Sequence, residues 1–246
     1  MQVLRRRAMP GCAISVVVPV RNEAPNLLPL IAEIGTALSG FAHEIIYVDD
    51  GSTDQTAEIL RGAQVRALRH AQSCGQSAAI LTGVRAATGQ WVATLDGDGQ
   101  NDPADIPKLL LRAEAEGFTG PLLLAGHRAS RRDSRVKRVT SRIANEVRAR
   151  VLKDATQDTG CGLKLFRPGD FLALPAFDHM HRYLPALFLR AGGRVVTVPV
   201  NHRPRRSGHS HYGTLDRLWA GVADLAGVYW LQRRWRRPEV DVLNDG

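Results

Sequence analysis

The first 125 residues alternate between short apolar runs and stretches whose apolar positions recur every three or four residues. Ala13 to Val20 is a continuous, largely β-branched run, as expected of a strand buried on both faces. Asn22 to Leu38 has helical spacing with Pro25 near its start, a position where proline is tolerated. Glu44 to Val48 predicts a second strand, followed by a short helix to about Leu60 that Ser52, Thr53 or Asp54 can cap. Further strands are predicted over Val65 to Leu68, Trp91 to Leu95 and Leu122 to Ala125, with helices over Ser77 to Ala87 and Pro103 to Glu116. This rhythm predicts an α/β fold with a mostly parallel central sheet covered by helices on both faces. Ligands of such sheets bind beyond the carboxyl ends of the strands. Asp49/Asp50 and Asp96/Asp98 both fall at strand ends and are expected to share one cleft.

The pattern changes after Ala125. Residues 126–153 hold ten Lys or Arg against two acids, and Val136, Val139, Ile143, Val147 and Val151 recur at helical spacing. Lys137, Ser141, Asn145 and Arg148 share another face, which reads as a solvated basic face or as an anion or membrane contact. Residues 158–166 lead from a glycine-punctuated turn into a short strand; His181 to Ala191 reads as helical and Arg194 to Val200 as a strand. Leu215 to Leu231 is interrupted by Asp216, Arg217 and Asp224, too often for a spanning helix. Three segments are expected: a basic tail over 1–12, an α/β domain over 13–213, and an amphipathic helix with a basic tail over 214–246.

Charge narrows the partners. The chain of 246 residues carries a formal charge of +9 with a pI near 10.2, which points to a polyanionic partner. A 44% hydrophobic content is enough for a core. Cys12, Cys74 and Cys161 form no CxxC pair and are odd in number, so neither a zinc site nor a disulfide framework is expected. No apolar stretch of signal-peptide length precedes Pro19, and a cytoplasmic location, peripheral on the membrane, is the expectation.

The chemistry is densest at LDGDGQNDP, residues 95–103. In an extended segment Asp96, Asp98 and Gln100 would point to one side and offer two carboxylates and an amide oxygen. Oxygen-only donors suit Mg²⁺ or Mn²⁺, commonly completed by substrate phosphates; a polar turn before the next helix is the simpler account. RPRRSGHSHYG, residues 203–213, has the arginine forks and glycine of a phosphate loop, or of an ordinary basic surface loop.

Five motifs in order, VVPVRNE (17–23), VDDGSTD (48–54), LDGDGQNDP (95–103), DTGCGLKLF (158–166) and RPRRSGHSHYG (203–213), resemble glycosyltransferase family 2, most of all its polyprenyl-phosphate branch. The resemblance covers about residues 13–213. It implies a GT-A, Rossmann-like fold with a basic helical C-terminal part. The implied reaction is inverting transfer of a hexose, mannose or glucose favoured, from a nucleotide-sugar such as GDP-mannose or a UDP-sugar to a polyprenyl phosphate. Pro19, Arg21 and Glu23 match the first nucleotide-contacting loop, and Asp49 or Asp50 the base-and-ribose aspartate. Asp96, Asp98 and Gln100 match the metal and diphosphate motif, and Arg205 or Arg206 with Ser210 the late loop over the diphosphate. Asp98, Arg205 and Arg206 are thereby the catalytic candidates. Arg128, Arg138 and Ser141 match the acceptor-phosphate region, and His211 stands where the family usually has lysine. Many members carry C-terminal transmembrane hairpins, whereas here Trp219, Trp230, Trp235 and a basic run at 233–237 suit a peripheral membrane contact. A non-lipid acceptor and a metal-dependent nucleotidyltransferase are the competing enzyme readings. A homo-oligomer is compatible with the chain, and no nucleic-acid module is recognisable.

Overall fold

The computed structural model describes residues 13–128, 146, 148–154, 156, 158–204 and 214–234, the last stretch with side chains from 221 onward. Arg138, Ser141, Arg205, Arg206 and Ser210 lie outside the described residues, as do Lys137 and Asn145.

Seven strands form one sheet: β1 (Ile14–Val20), β2 (His43–Asp49), β3 (Arg66–Arg69), β4 (Trp91–Thr94), β5 (Leu122–Arg128), β6 (Lys164–Phe166) and β7 (Arg194–Val200). Their spatial order is β3-β2-β1-β4-β6-β5-β7. All neighbouring pairs are parallel except those of β6, which runs antiparallel to both β4 and β5. Helices α1 (Leu27–Ala37), α2 (Thr56–Gly62), α3 (Gln76–Ala86), α4 (Ile106–Glu116), α5 (Pro168–Leu172), α6 (Leu184–Arg190) and α7 (Thr214–Arg234) accompany them, together with single 3-10 turns at Ala24–Asn26, Pro103–Asp105 and Met180–Arg182.

β1 explains the two-sided burial. All seven of its residues are buried. Val16, Val18 and Val20 pack with Leu30 and Ile34 of α1 and Leu109 of α4, while Val17 packs on the other face with Ala79, Ile80 and Val84 of α3. A period-2 strand buried on both faces has to be apolar throughout, which is why the run 14–20 has almost no alternation. The mostly parallel α/β architecture follows as expected.

Two topological facts position the site. Chain order reverses between β1 and β4, so a crevice opens beyond their carboxyl ends. Because β6 is antiparallel, it delivers its first residue, not its last, to that end of the sheet: Lys164 pairs in register with Thr94 and with Ala125. α7 packs through buried Val228 on the α3, α5 and α6 side of the sheet. Among the described residues no helix is long and apolar enough to cross a membrane.

Candidate active site at the carboxyl end of the sheet

The loop after β1 is stitched to the loop after β2. Asn22, in the left-handed region at φ 56°, donates its backbone N–H to Ser52 Oγ at 2.9 Å and accepts Thr53 N–H on its side chain at 2.8 Å. Glu23 N–H donates to Thr56 Oγ1 at 3.0 Å, and Glu23 Oε2 accepts from Asn26 Nδ2 at 2.6 Å. Glu23 therefore shapes the turn, and Arg21 stands exposed beside it. Pro19 lines the wall of the pocket next to Asp96. The expected side-chain cap of α2 takes another form: Gln55 is the cap residue without a side-chain bond, and Asp54 Oδ1 accepts the N–H of Thr56 at 3.0 Å. A short aspartate bonds its own backbone two residues on more readily than it caps a helix from there.

Asp49 and Asp50 are both buried but differently engaged. Asp49 accepts Ser52 N–H at 2.8 Å and pairs with Arg69 at 3.2 Å. Asp50 accepts from His70 Nδ1 at 2.7 Å, Cys74 N–H at 2.8 Å, Ser73 Oγ at 2.8 Å and Gly75 N–H at 2.9 Å. Burial works to raise its pKa, but the bonds from Cys74, His70, Ser73 and Gly75 outweigh it and hold the carboxyl below the usual range. His70 Nε2 continues the chain to Thr82 Oγ1 at 2.9 Å. Asp50, His70 and Cys74 lie close enough together to suggest a metal site. The Asp50 oxygens are already committed to N–H and O–H donors, so the cluster is a hydrogen-bond network that builds the 70–75 loop.

That loop joins the two aspartate clusters. Gly75 donates to Asp50, and the next residue, Gln76, donates its Nε2 to Asp96 Oδ1 at 3.0 Å. The expectation that both clusters share one cleft is thus met. The extended geometry expected for residues 96–100 is not. The segment turns, with Gly99 in the left-handed region at φ 74°, and Asp98 Oδ1 accepts Gln100 N–H at 3.0 Å. Strand alternation does not apply across a turn, so it cannot align Gln100 with the two carboxylates. Gln100 is engaged through its main chain, its carbonyl accepting Arg203 N–H at 3.0 Å.

Asp96 is the most electrostatically loaded group here. Burial first, and the neighbouring Asp98 second, push its pKa up, against Lys164 and Arg128, which pull it down. Its carboxylate lies over Gly162, where any Cβ would come within 2.2 Å of Oδ2. Only glycine admits the carboxylate at that distance. Two adjacent carboxylates that repel one another in a partly dehydrated crevice are a donor set for a hard divalent cation, and the residues present fit Mg²⁺ or Mn²⁺.

Two cations, Lys164 and Arg128, act on Asp96, while Arg203 and Arg148 are engaged by other carboxylates. Lys164, not anticipated, is buried; its ammonium donates to the carbonyls of Thr159, at 3.2 Å, and Cys161, and burial lowers its pKa. A lysine inside the apolar run LKLF was the available signal. Arg128 makes a bidentate pair with Asp158, both bonds at 2.7 Å, so its charge is largely offset within the protein. Arg203, expected in the phosphate loop, is tied to Glu33 at 2.6 Å and to Asp102. It anchors the base of the loop to α1 and the segment before α4. Arg148, expected on a solvated face, is buried, bonded to Asp154 at 3.0 Å, to the Thr156 carbonyl at 2.5 Å and to Thr159.

Ser77, Gln76 and His181 were also missed. Ser77 Oγ bonds His181 Nδ1 at 2.8 Å across 104 residues of chain. No sequence pattern announces such a pair.

A glycosyl transferase family 2 model matches residues 15–173. The dodecaprenyl-phosphate galacturonate synthase of Rhizobium johnstonii is 34% identical over 236 residues, covering 92% of this chain and 69% of that protein. The undecaprenyl-phosphate 4-deoxy-4-formamido-L-arabinose transferase of Salmonella typhimurium is 36% identical over 219 residues, covering 83% and 64%. The chain spans about two thirds of the length of these relatives. Among solved structures, glucosyl-3-phosphoglycerate synthase of Mycobacterium tuberculosis in complex with Mg²⁺ and UDP superimposes with a TM-score of 0.72 at 22% identity, covering 94% of this chain and 82% of that one. At that identity the likeness speaks for the fold alone.

Proposed function

Since the chain belongs to glycosyltransferase family 2, we propose that it transfers a sugar, with inversion, from a nucleotide-sugar to a polyprenyl phosphate. The relatives named for galacturonate and 4-deoxy-4-formamido-L-arabinose widen the donor beyond the mannose or glucose favoured by the motifs to nucleotide-sugars generally. The observation that carries the reading is the crowding of Asp96 and Asp98 beside Lys164 at the β1/β4 crevice. Such a site is made for a diphosphate with its cation.

Asp96 and Asp98 would hold Mg²⁺ or Mn²⁺, with Gln100 as a third candidate. The cation, when bound, supplies neutralisation of the charge that grows on the departing nucleoside diphosphate. The chain's own groups do the rest. Gln76 orients Asp96, Lys164 sets a fixed positive charge behind it, and Arg205 and Arg206 with Ser210 are the candidates to close over the diphosphate. A phosphomonoester is already an anion, so its oxygen attacks the anomeric carbon without a dedicated general base; the demand falls on stabilising the leaving group. Arg128, Arg138 and Ser141 are the candidates for the acceptor phosphate.

Residues 13–213 are proposed as the catalytic domain and 214–246 as a peripheral membrane contact on the cytoplasmic face. In α7 the exposed Val222, Tyr229 and Trp230 support that contact, with Arg233 over the Tyr229 ring and Arg234 over the Trp230 ring. The test of the reaction is a radiolabelled-sugar partition assay. Label extracted into organic solvent only when polyprenyl phosphate and Mn²⁺ are both present is the expected result. Label that stays in water, on a phosphate-free acceptor, would overturn the lipid assignment.

A further inference from the structure

Behind Asp96 lies a small pocket lined by Gln76, Asp96, Lys164 and His181, among others, with room for about one oxygen atom. Nothing in the reaction outlined above uses His181. Its orientation is nonetheless fixed twice by one serine. Ser77 Oγ accepts the backbone N–H of His181 at 3.2 Å and bonds its ring Nδ1 at 2.8 Å. With the Ser77 hydroxyl hydrogen directed to Nδ1, the proton of the neutral ring sits on Nε2. Burial first, then Lys164, pushes the imidazole pKa down to about 3, so the ring stays neutral at ordinary pH.

The polar lining has a definite sense. Among the described residues Lys164 uses two of its three N–H groups, on the carbonyls of Thr159 and Cys161, which leaves a third. Lys164 and His181 are donors, and the Asp96 carboxylate is an acceptor. Donors on one side and an acceptor on the other fit a group that both accepts and donates. A carboxylate would be repelled by Asp96, and an ammonium by Lys164; a hydroxyl satisfies both.

We propose that this pocket is a subsite for one hydroxyl of the donor's sugar, with His181 Nε2–H as the specificity-determining donor and Ser77 as the positioning residue that sets its tautomer. The inference rests on the nucleotide-sugar reading of the site and adds which end of the donor is recognised here.

The test is calorimetric titration with Mn²⁺ of UDP, GDP, UDP-glucose, UDP-galacturonic acid and GDP-mannose into the wild type, His181→Leu, His181→Gln and Ser77→Ala. The best-bound nucleotide-sugar should bind His181→Leu about tenfold more weakly, while its parent nucleotide changes less than about twofold; one hydrogen bond is worth roughly that factor. His181→Gln, which keeps an N–H at the ε position, should restore most of the affinity, and Ser77→Ala should lose about threefold. Equal weakening of nucleotide and nucleotide-sugar would mean that His181 only supports the fold. An unchanged His181→Leu would mean that the pocket holds a structural water. Either result overturns the subsite. A wild type that binds none of the five ligands would instead overturn the donor reading itself, and the subsite with it.

Discussion

Asp50 and Asp96 are the same residue type at corresponding places, just past the ends of β2 and β4, the two parallel strands that flank β1, and the protein treats them in opposite ways. Asp50 receives four hydrogen bonds and is held below its ordinary pKa despite burial. Among the described residues Asp96 receives one side-chain bond, from Gln76; it faces Asp98 and is pushed above its ordinary pKa by burial and by that neighbour. A carboxylate whose lone pairs are filled by the protein is a structural fastener. One left crowded against another carboxylate is an incomplete site that a cation would finish. Position on the sheet thus nominates both aspartates; only their donors separate the builder from the binder.

The comparison breaks most directly at the second cluster. Asp98→Ala is expected to lower transfer at least about a hundredfold, the scale of losing a principal charge-stabilising group, while far-UV circular dichroism stays native. Near-wild-type turnover in Mg²⁺ would remove Asp98 from the chemistry. Asp50→Asn should act on the other axis, because its amide nitrogen would face N–H and O–H donors. The expected loss is about 1–3 kcal/mol of unfolding free energy, read by urea denaturation. Asp96→Asn should cost little or raise stability, since it relieves like-charge crowding in a buried place. If both variants lose equal stability, the division between fastener and site fails.

The cationic side of the second cluster offers the next test. Arg205→Ala with Arg206→Ala should lower turnover by well over tenfold with little change in melting temperature, given lost stabilisation of the leaving diphosphate. A normal rate would take the loop out of the mechanism.

The smallest effect is in pH. The folded His181 resists protonation down to about pH 3, whereas an unfolded histidine binds a proton near pH 6.5. Between those values the unfolded state holds more protons, so stability falls as pH drops through that window. The lowered pKa of Asp50 acts in the same direction, its contribution vanishing as pH falls through the folded value. Denaturation midpoints of His181→Gln should therefore decline less between pH 6.5 and 4 than those of the wild type; parallel curves would contradict this.

Much of the frame was legible. β7 matches its expected limits of Arg194 and Val200, and β1 differs by one residue, because continuous β-branched runs bounded by turns leave few alternatives. The short α5 was not anticipated, since Pro168–Leu172 is too brief to display a helical period. The paired aspartates were legible as chemistry because VDDGSTD and LDGDGQNDP end strands. Their geometry was less so, as the turn at Gly99 replaced the alternation expected for Gln100. The arginines misled most: Arg128, Arg148 and Arg203 read as anion binders or surface charge, and each is tied to a carboxylate remote in the chain or across a turn.

The sequence alone determined the α/β rhythm, the carboxylates at two strand ends and the family motifs, because those depend on periodicity and on neighbours a few residues apart. Tertiary structure decided what each charged group does. The antiparallel entry of β6 carries Lys164 to the end of β4, Gly162 admits the Asp96 carboxylate, and Ser77 meets His181 across 104 residues. A side chain's charge state and hydrogen-bond role are set by the few atoms around it, and in a folded sheet those atoms come from segments that no local pattern connects.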